Sequence, residues 1–233
     1  MKLRNGNNGC EDKGRGDDVA TVLNLPKTAE ARVVLPNVSW ETYERLLTDL
    51  SDCSAPHLTY DRGRLVIMSP TAKHEKVNRS IELLVRITTL EMNIEVSSLG
   101  STTFKREDIA LGFEPDSCFY VQNEAAIRGK QALDLLVDPP PDIVVEIDIS
   151  SSSINKRSLF AQFSVPEVWR YDGERIEILN LVNSAYVKAE SSSVLPFITA
   201  KVLTDFIAAS LSLSGLEWMK KVRDWAQQQK AAE

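Results

Sequence analysis

The sequence predicts an α/β (α+β) protein in which a mixed central sheet is flanked by helices. Segments with apolar residues at helical spacing alternate along the chain with short segments rich in β-branched residues. Elements in this order build a sheet with helices packed on its faces. Apolar residues make up 43% of the composition, which is enough for a packed core under such a sheet.

The chain of 233 residues is long enough for one domain and some additional chain. Residues 1–31 are polar, with glycines spaced among charges, and we expect them to form a disordered tail. Residues 32–195 are predicted to form the folded domain. Residues 196–233 are predicted to form a C-terminal helical extension, because their apolar residues recur at helical spacing from Thr199 onward.

The first ordered element is predicted to be a helix, because Ser39 can cap it and the apolar residues that follow fall on one face. A hairpin follows at 58–68 around the turn Asp61-Arg62-Gly63. A second helix is predicted at 72–92, and four strands at 94–99, 101–105, 116–121 and 142–149.

The second half of the predicted domain begins with a loop or short helix around 123–136. It ends at three consecutive prolines, where neither a helix nor a central strand can continue. The serines at 150–153 offer N-caps for a third helix at 154–163. A hairpin at 168–181 and an edge strand at 185–189 complete the predicted sheet.

Charge and cysteine content limit the functions that the chain can have. A net charge of −6 and a sequence pI of about 5.2 argue against a protein that coats nucleic acid, because phosphate neutralisation needs a surplus of Lys and Arg. Three scattered cysteines without a CxxC pair suggest a reducing compartment. Without an apolar signal segment, we expect a soluble, cytoplasmic protein.

The predicted strand 142–149 has one aliphatic face and one acidic face. Alternate positions beginning at Ile143 are all aliphatic and must face the core. The intervening positions include three acids, Asp142, Glu146 and Asp148. Buried carboxylates need a compensating cation, which Arg or Lys side chains or a hard divalent metal ion can supply. A solvated acidic face is about equally compatible with this strand alone.

A second acid strengthens the metal interpretation. Asp116 opens another predicted strand, and two adjacent strands can present Asp116 and Glu146 to one metal ion. Lys156, near the start of the following helix, could reach the same point. Two carboxylates, a metal ion and an ammonium group suffice for phosphodiester hydrolysis. The metal lowers the pKa of bound water, and the lysine offsets developing charge.

Four sequence blocks, in the same order, resemble the Uma-type family of restriction endonucleases, a cyanobacterial-type family of the PD-(D/E)xK nuclease superfamily. The resemblance covers about residues 36–190 and implies a restriction-endonuclease-like sheet flanked by helices. The blocks are YDRGRLVIMSP at 60–70, EPDSCFYV at 114–121, PDIVVEIDIS at 141–150 with Lys156 after it, and VPEVWRYDG at 165–173.

The resemblance implies a metal-dependent endonuclease that hydrolyses DNA through metal-activated water. Asp116, Glu146 and Lys156 would be catalytic, and Asp116, Glu146 and Asp148 would bind Mg²⁺, with Mn²⁺ as an alternative. Asp148 occupies the superfamily's usual lysine position, so Lys156 would replace that lysine from the following helix. The partners would be DNA and further copies of the chain, in a homodimer or higher homo-oligomer, with no membrane.

Several other residues could take part in the function. His74 and Glu75 are auxiliary candidates, because an acid on this helix could hold a metal-bound water. The simpler interpretation is that Glu75 complements the helix dipole. His57 has no evident partner and is interpreted as a surface residue. Four basic residues could contact phosphates, and a position on the solvated surface would suit them equally well: Lys105, Arg106, Arg128 and Lys130.

The positions of the four tryptophans suggest a role for each of them. Trp40 and Trp169 are predicted to pack in the core. Trp218 and Trp225, which have basic neighbours on the C-terminal helix, could form an oligomer contact.

Two other functions are compatible with the sequence. The acidic pI and the displaced lysine favour a catalytically inactive nuclease-fold protein that acts as a nucleic-acid-binding or structural subunit. The same acids would also suit a metal-dependent phosphoesterase acting on small nucleotides.

Overall fold

The strands and helices are taken from a computed structural model, which describes residues 31–51, 56–149 and 156–232. The strands are β1 (Ala31–Leu35), β2 (His57–Asp61), β3 (Arg64–Ser69), β4 (Ser97–Ser98), β5 (Phe104–Arg106), β6 (Leu111–Phe113), β7 (Ser117–Tyr120), β8 (Ile143–Ile147), β9 (Glu167–Tyr171), β10 (Ile176–Val182) and β11 (Ala185–Ala189). The α-helices are α1 (Trp40–Asp49), α2 (Ala72–Met92), α3 (Glu124–Ile127), α4 (Lys156–Gln162), α5 (Ala200–Ser212) and α6 (Gly215–Ala232).

The strands form two sheets. The first sheet has the order β1-β3-β2-β6-β5 and is antiparallel throughout. The second has the order β11-β10-β9-β8-β7-β4, and its β8–β9 pair is parallel while its other pairs are antiparallel. The predicted fold class, a mixed sheet flanked by helices, is confirmed. The prediction of a single sheet was incomplete, because β1, β2, β3, β5 and β6 form a sheet of their own.

Strand β8 lies between two hydrophobic cores, as its alternating sequence predicts. Ile143, Val145 and Ile147 are fully or almost fully buried in the core that includes residues of α2, α5 and α6. Val144 points to the opposite core, which contains Phe160 of α4 and residues of the first sheet. Because both faces of β8 are covered, any acid on this strand near the centre of the sheet must be buried.

Several elements differ from their predicted forms. Strand β1 precedes the first helix and was not predicted, because it is an edge strand whose apolar residues Val33, Val34 and Leu35 are exposed and give no burial pattern. The short strand β6 was missed as well. The C-terminal extension is two helices, since the backbone becomes extended at Leu213. Most of the predicted tail and the serines at 150–153 lie outside the described residues.

The tryptophans pack within the chain. Trp169 is fully buried, and Trp40 contacts Tyr43 and Tyr60 edge to face, which confirms their predicted packing roles. The oligomer contact suggested for these two residues stays a prediction for Trp225, which is partly buried, while Trp218 is buried within the chain. Trp218 is buried and donates its indole N–H to the carbonyl of Phe206 at 2.7 Å, and Trp225 packs on the Phe206 ring. Both indoles therefore join α6 to α5.

None of the helices in the described ranges is both long and apolar enough to span a bilayer.

A close approach between α1 and the first sheet makes Gly112 of β6 sterically necessary. Tyr43 is fully buried against Tyr60, with the two rings stacked 4.8 Å apart. A Cβ at Gly112 would lie 2.2 Å from Tyr43 Oη and 2.8 Å from its Cζ. Both atoms belong to a ring that the surrounding core holds in place, so the ring has little room to move away.

Gly112→Ala should therefore destabilise the protein by about 1–3 kcal/mol through overpacking, as measured by urea unfolding. Tyr43→Phe in the same chain should recover only part of the loss, because the ring carbons stay in the way. Gly215→Ala is the matched control, since nothing lies within 4 Å of its Cβ position. Equal stability of Gly112→Ala and wild type would contradict the close approach.

Candidate active site

Asp116 and Glu146 are brought together by the pairing of β7 with β8. Ser117 is opposite Val145 in this antiparallel ladder, so Asp116, one residue before β7, lies beside Glu146. The backbone N–H of Ile147 donates to Asp116 Oδ2 at 2.6 Å, which fixes the carboxylate against β8. Asp116 is 2% exposed and Glu146 6% exposed, so both acids belong to the interior.

Two histidines contact the Asp116 carboxylate from other elements. His74 Nε2, in the first turn of α2, lies 3.2 Å from Oδ2, and His57 Nδ1, on β2, lies 3.3 Å from Oδ1. Asn78 of α2 donates to the Asp116 carbonyl at 2.8 Å. Desolvation by burial opposes the ionised form of Asp116. Hydrogen bonding from His57 and His74, together with the charge of Lys156, outweighs this effect. The pKa of Asp116 is therefore held well below its usual range.

The interpretation of His57 as a surface residue was wrong, because only 8% of it is exposed and it faces Asp116. No local pattern around His57 indicates this contact. It depends on β2 pairing with β6 just before the chain reaches Asp116, which is a long-range feature. His74, an auxiliary candidate, reaches the carboxylate. Glu75, the other auxiliary candidate, instead lies 3.7 Å from Arg79 of the same helix.

Glu146 and Lys156 form an ion pair, in which Lys156 Nζ donates to Glu146 Oε2. Lys156 is the first residue of α4, and the side chain reaches back over the end of β8. Burial raises the pKa of Glu146 to about 7, because desolvation outweighs the attraction of Lys156. The pKa of Lys156 is raised, since the attraction of Glu146 and Asp116 exceeds its own desolvation.

Asp148 is neutralised by an arginine of the neighbouring parallel strand. Arg170 donates from Nε and Nη2 to Asp148 Oδ2, at 3.2 and 2.8 Å. Arg170 is the register partner of Glu146 in β9, so a cation lies on the same sheet face as the acids. The third acid of the strand, Asp142, is instead structural, because it accepts three hydrogen bonds from Val121 and Asn123.

A cleft of about 220 Å³ opens over these groups. Its charged lining consists of Glu146, Asp148, Lys156, Arg32, Arg157 and Arg170. Glu146 Oε1 and Asp148 Oδ1 are buried and accept no hydrogen bond within the described ranges. Unsatisfied buried carboxylate oxygens are costly, and hard oxygen donors of this kind suit Mg²⁺ or Mn²⁺.

The described residues contain no preformed trio of His, Cys, Asp or Glu side chains around one ion position. Lys156 and Arg170 neutralise the acids in place of a metal ion, because each is hydrogen-bonded to one of the two acids that line the cleft. The donor chemistry therefore fits a divalent ion, and side chains would have to move to complete its coordination.

The predicted phosphate contacts outside the cleft are each paired with an acid. The pairs are Lys105 with Glu44, Arg106 with Asp108, Arg128 with Glu124, and Lys130 with Asp138.

Buried carboxylates on adjacent strands of a mixed sheet, with a lysine and arginines over them, are typical of the catalytic centre of a nuclease. The model of the Uma2 family, described as "Putative restriction endonuclease", matches residues 40–214, and the chain belongs to this family. This membership supports nuclease function in general.

Among curated proteins none matches the chain significantly. Among solved structures, the crystal structure of a protein from Anabaena variabilis, described as a putative nuclease, is similar at 14% identity with a TM-score of 0.45. The match covers 64% of this chain and 90% of that chain. This likeness is too distant to assign roles to individual residues.

The raised pKa of Glu146 predicts how stability depends on pH without metal ions. Between its ordinary value of 4.5 and about 7, the folded protein keeps a proton that the unfolded chain has released. Stability should therefore fall as pH rises through this window. In the Glu146→Gln variant, the free energy of unfolding should fall across this window by roughly 1–3 kcal/mol less than in the wild type. Urea unfolding in EDTA at several pH values measures it.

Glu177→Gln is the control for this experiment. The pKa of Glu177 is lowered, mainly by hydrogen bonding from Lys188. Glu177 is therefore already ionised throughout this pH window. An unchanged decline in Glu146→Gln would show that Glu146 is ionised throughout the range.

Proposed function

We propose that this chain is a metal-dependent endonuclease that hydrolyses DNA phosphodiester bonds. The proposal is carried by Glu146, which is buried at the floor of the cleft beside Asp116. One of its oxygens binds Lys156, and the other has no donor among the residues that the structure describes. Membership of a restriction endonuclease family supports nucleic acid as the substrate. In this proposal Asp116, Glu146 and Lys156 are the catalytic residues.

Each side chain would contribute a separate part of the chemistry. Glu146, Asp148 and Asp116 would hold the metal ion through carboxylate oxygens. A divalent ion, Mg²⁺ or Mn²⁺, would supply Lewis-acid polarisation of the phosphate and a lower pKa for the attacking water. Lys156 Nζ would release Glu146 and donate to phosphate oxygens that gain charge in the transition state. His57 and His74 would hold Asp116 in its orientation.

Cleavage of supercoiled plasmid tests this proposal. Wild-type protein should nick the plasmid in Mg²⁺ or Mn²⁺ and not in EDTA. Glu146→Gln and Lys156→Met should each lower the rate by about 100-fold or more, because the first removes a ligand of the metal ion and the second removes a cation that stabilises charge in the transition state. Calorimetry should show that Glu146→Gln also weakens binding of the divalent ion.

Glu75→Gln is the matched control, because Glu75 is a nearby helical acid outside the cleft. It should cleave as wild type does. Wild-type nicking that is no faster than that of Glu146→Gln would overturn the proposed activity.

A second function is favoured by the two ion pairs of the cleft. Lys156 and Arg170 already neutralise Glu146 and Asp148, so the site is electrostatically complete without a metal ion. A nuclease-fold subunit that binds nucleic acid without cutting it would have this arrangement. It predicts DNA binding by the wild type, no cleavage with either metal ion, and no divalent-ion affinity that depends on Glu146.

A further inference from the structure

The turn between β2 and β3 carries an arginine where its geometry favours a smaller residue. Asp61 pairs with Arg64, so the turn has two central residues, Arg62 and Gly63. Their φ angles are +45° and +93°, both in the left-handed region. Hairpin turns of this kind favour asparagine or aspartate followed by glycine, because a long side chain is strained at a positive φ. Such strain persists where the surroundings hold it, and it is typical of functional positions.

The backbone of this turn is held from two sides. The Arg62 N–H donates to the carbonyl of Ala110 at 2.9 Å, and the Val38 N–H donates to the carbonyl of Gly63 at 2.9 Å. These two bonds join the turn to the segment before β6 and to the segment before α1. The direction in which the Arg62 side chain leaves the turn is therefore fixed.

The Arg62 side chain reaches α4. Its Nη2 donates to Oε1 of Gln162, the last residue of that helix. Gln162 also donates from Nε2 to the carbonyl of Ser158 at 3.2 Å, so the helix itself orients the amide. Arg62 Nη1 lies 3.5 Å from Asp61 Oδ1 within the turn. One guanidinium group thus joins the turn of the first sheet to the end of α4.

The position of α4 depends on its tertiary contacts. The helix has 7 residues, and isolated helices shorter than about 12–15 residues are marginal in water. Its buried residues are Leu159 and Phe160, and the Phe160 ring lies 4.9 Å from the Phe113 ring, edge to face. Phe113 belongs to β6. The first sheet therefore holds α4 by an apolar contact near its middle and by Arg62 at its end.

Lys156 is at the opposite end of the same short helix. It is the first residue of α4, and its ammonium group donates to Glu146 in the cleft. The two ends of the helix are about 10 Å apart, at a rise of roughly 1.5 Å per residue. A tilt of α4 about its buried middle therefore moves Lys156 whenever it moves Gln162.

We propose that Arg62 is a positioning residue, which holds α4 through Gln162 and thereby keeps Lys156 at Glu146. This inference rests on the proposed function for the reaction that Lys156 serves. It gives the turn of the first sheet a role in a cleft that Arg62 itself does not line.

Arg62→Asn tests the inference, because asparagine suits the turn and is too short to reach Gln162. The free energy of unfolding in urea should equal or exceed that of the wild type. The rate of plasmid nicking at saturating protein should fall about ten-fold, less than the roughly 100-fold loss that a 1 Å misplacement can cause. Affinity for a DNA duplex in EDTA should not change. A fall in rate that only follows a fall in stability would overturn the inference.

A double variant shows whether Arg62 acts through Lys156. In the Lys156→Met background, Arg62→Asn should cause no further fall in rate, because the group that it positions is gone. Losses that multiply would overturn the inference. Gln162→Glu should keep the wild-type rate, since a carboxylate also accepts from Arg62, and Gln162→Leu should behave as Arg62→Asn does.

The matched control is Arg128→Asn. It removes an arginine of similar side-chain exposure, 59% against 56% for Arg62, which pairs with Glu124 and not with α4. This variant should nick plasmid at the wild-type rate. If Arg62→Asn does not fold, Gln162→Leu decides the result.

Acetylation of lysines separates this inference from the proposed activity, because it needs no cleavage. In EDTA, mass spectrometry should show that Lys156 reacts several-fold faster in Arg62→Asn than in the wild type, since its ammonium group leaves Glu146 more often. Lys201 of α5, whose side chain is 82% exposed, should react equally in both proteins. Equal reactivity of Lys156 would overturn the inference. Faster reaction of Lys156 without any nicking by the wild type would overturn only the nuclease activity.

Discussion

The carboxylate of Asp116 has almost no contact with water and is surrounded by groups from three parts of the fold. The Ile147 N–H reaches it from the second sheet, His57 from the first sheet and His74 from α2. A buried carboxylate is tolerated only when such donors replace its hydration. The packing of β2, β8 and α2 around this point therefore depends on the carboxylate, and the carboxylate depends on the groups that these elements supply. The environment of Glu146 beside it depends on the same arrangement.

The neighbouring acids of β8 show how the site balances buried charge. Asp148 adds a second negative charge to the sheet face that carries Glu146. Arg170, on the adjacent parallel strand, neutralises it through two N–H groups on one oxygen. Lys156 approaches Glu146 from α4. The two acids are thus neutralised by two side chains from two other elements.

The cleft depends on the presence of two sheets. The second sheet provides the acids and Arg170, and the first sheet provides Arg32 and Met68 on the opposite side. Such an arrangement gathers charged groups of both signs at one place on an acidic protein, where cations can meet a phosphate locally. The acidic pI is therefore compatible with a nucleic-acid ligand, provided that binding is local.

Local patterns in the sequence determined a large part of the fold. Alternation in β8 predicted a strand with two different faces, and the apolar spacing of α2 predicted that helix at Ala72–Met92, where it is found. The same patterns indicated that Asp116 and Glu146 could meet, because both are fixed relative to strands. Edge strand β1 and short β6 were not recognised, since periodicity needs several half-buried residues to appear.

Only the tertiary structure decided which groups surround the acids. The sequence predicts a surface position for His57. Its contact with Asp116 follows from the pairing of β2 with β6, which no local pattern encodes. The Asp148–Arg170 pair likewise depends on the parallel register of β8 and β9. The sequence by itself therefore determined on which strand face the carboxylates of β8 lie, because side-chain direction in a strand follows from local hydrophobic alternation. The tertiary structure decided their charge partners, because those partners come from elements distant in the chain.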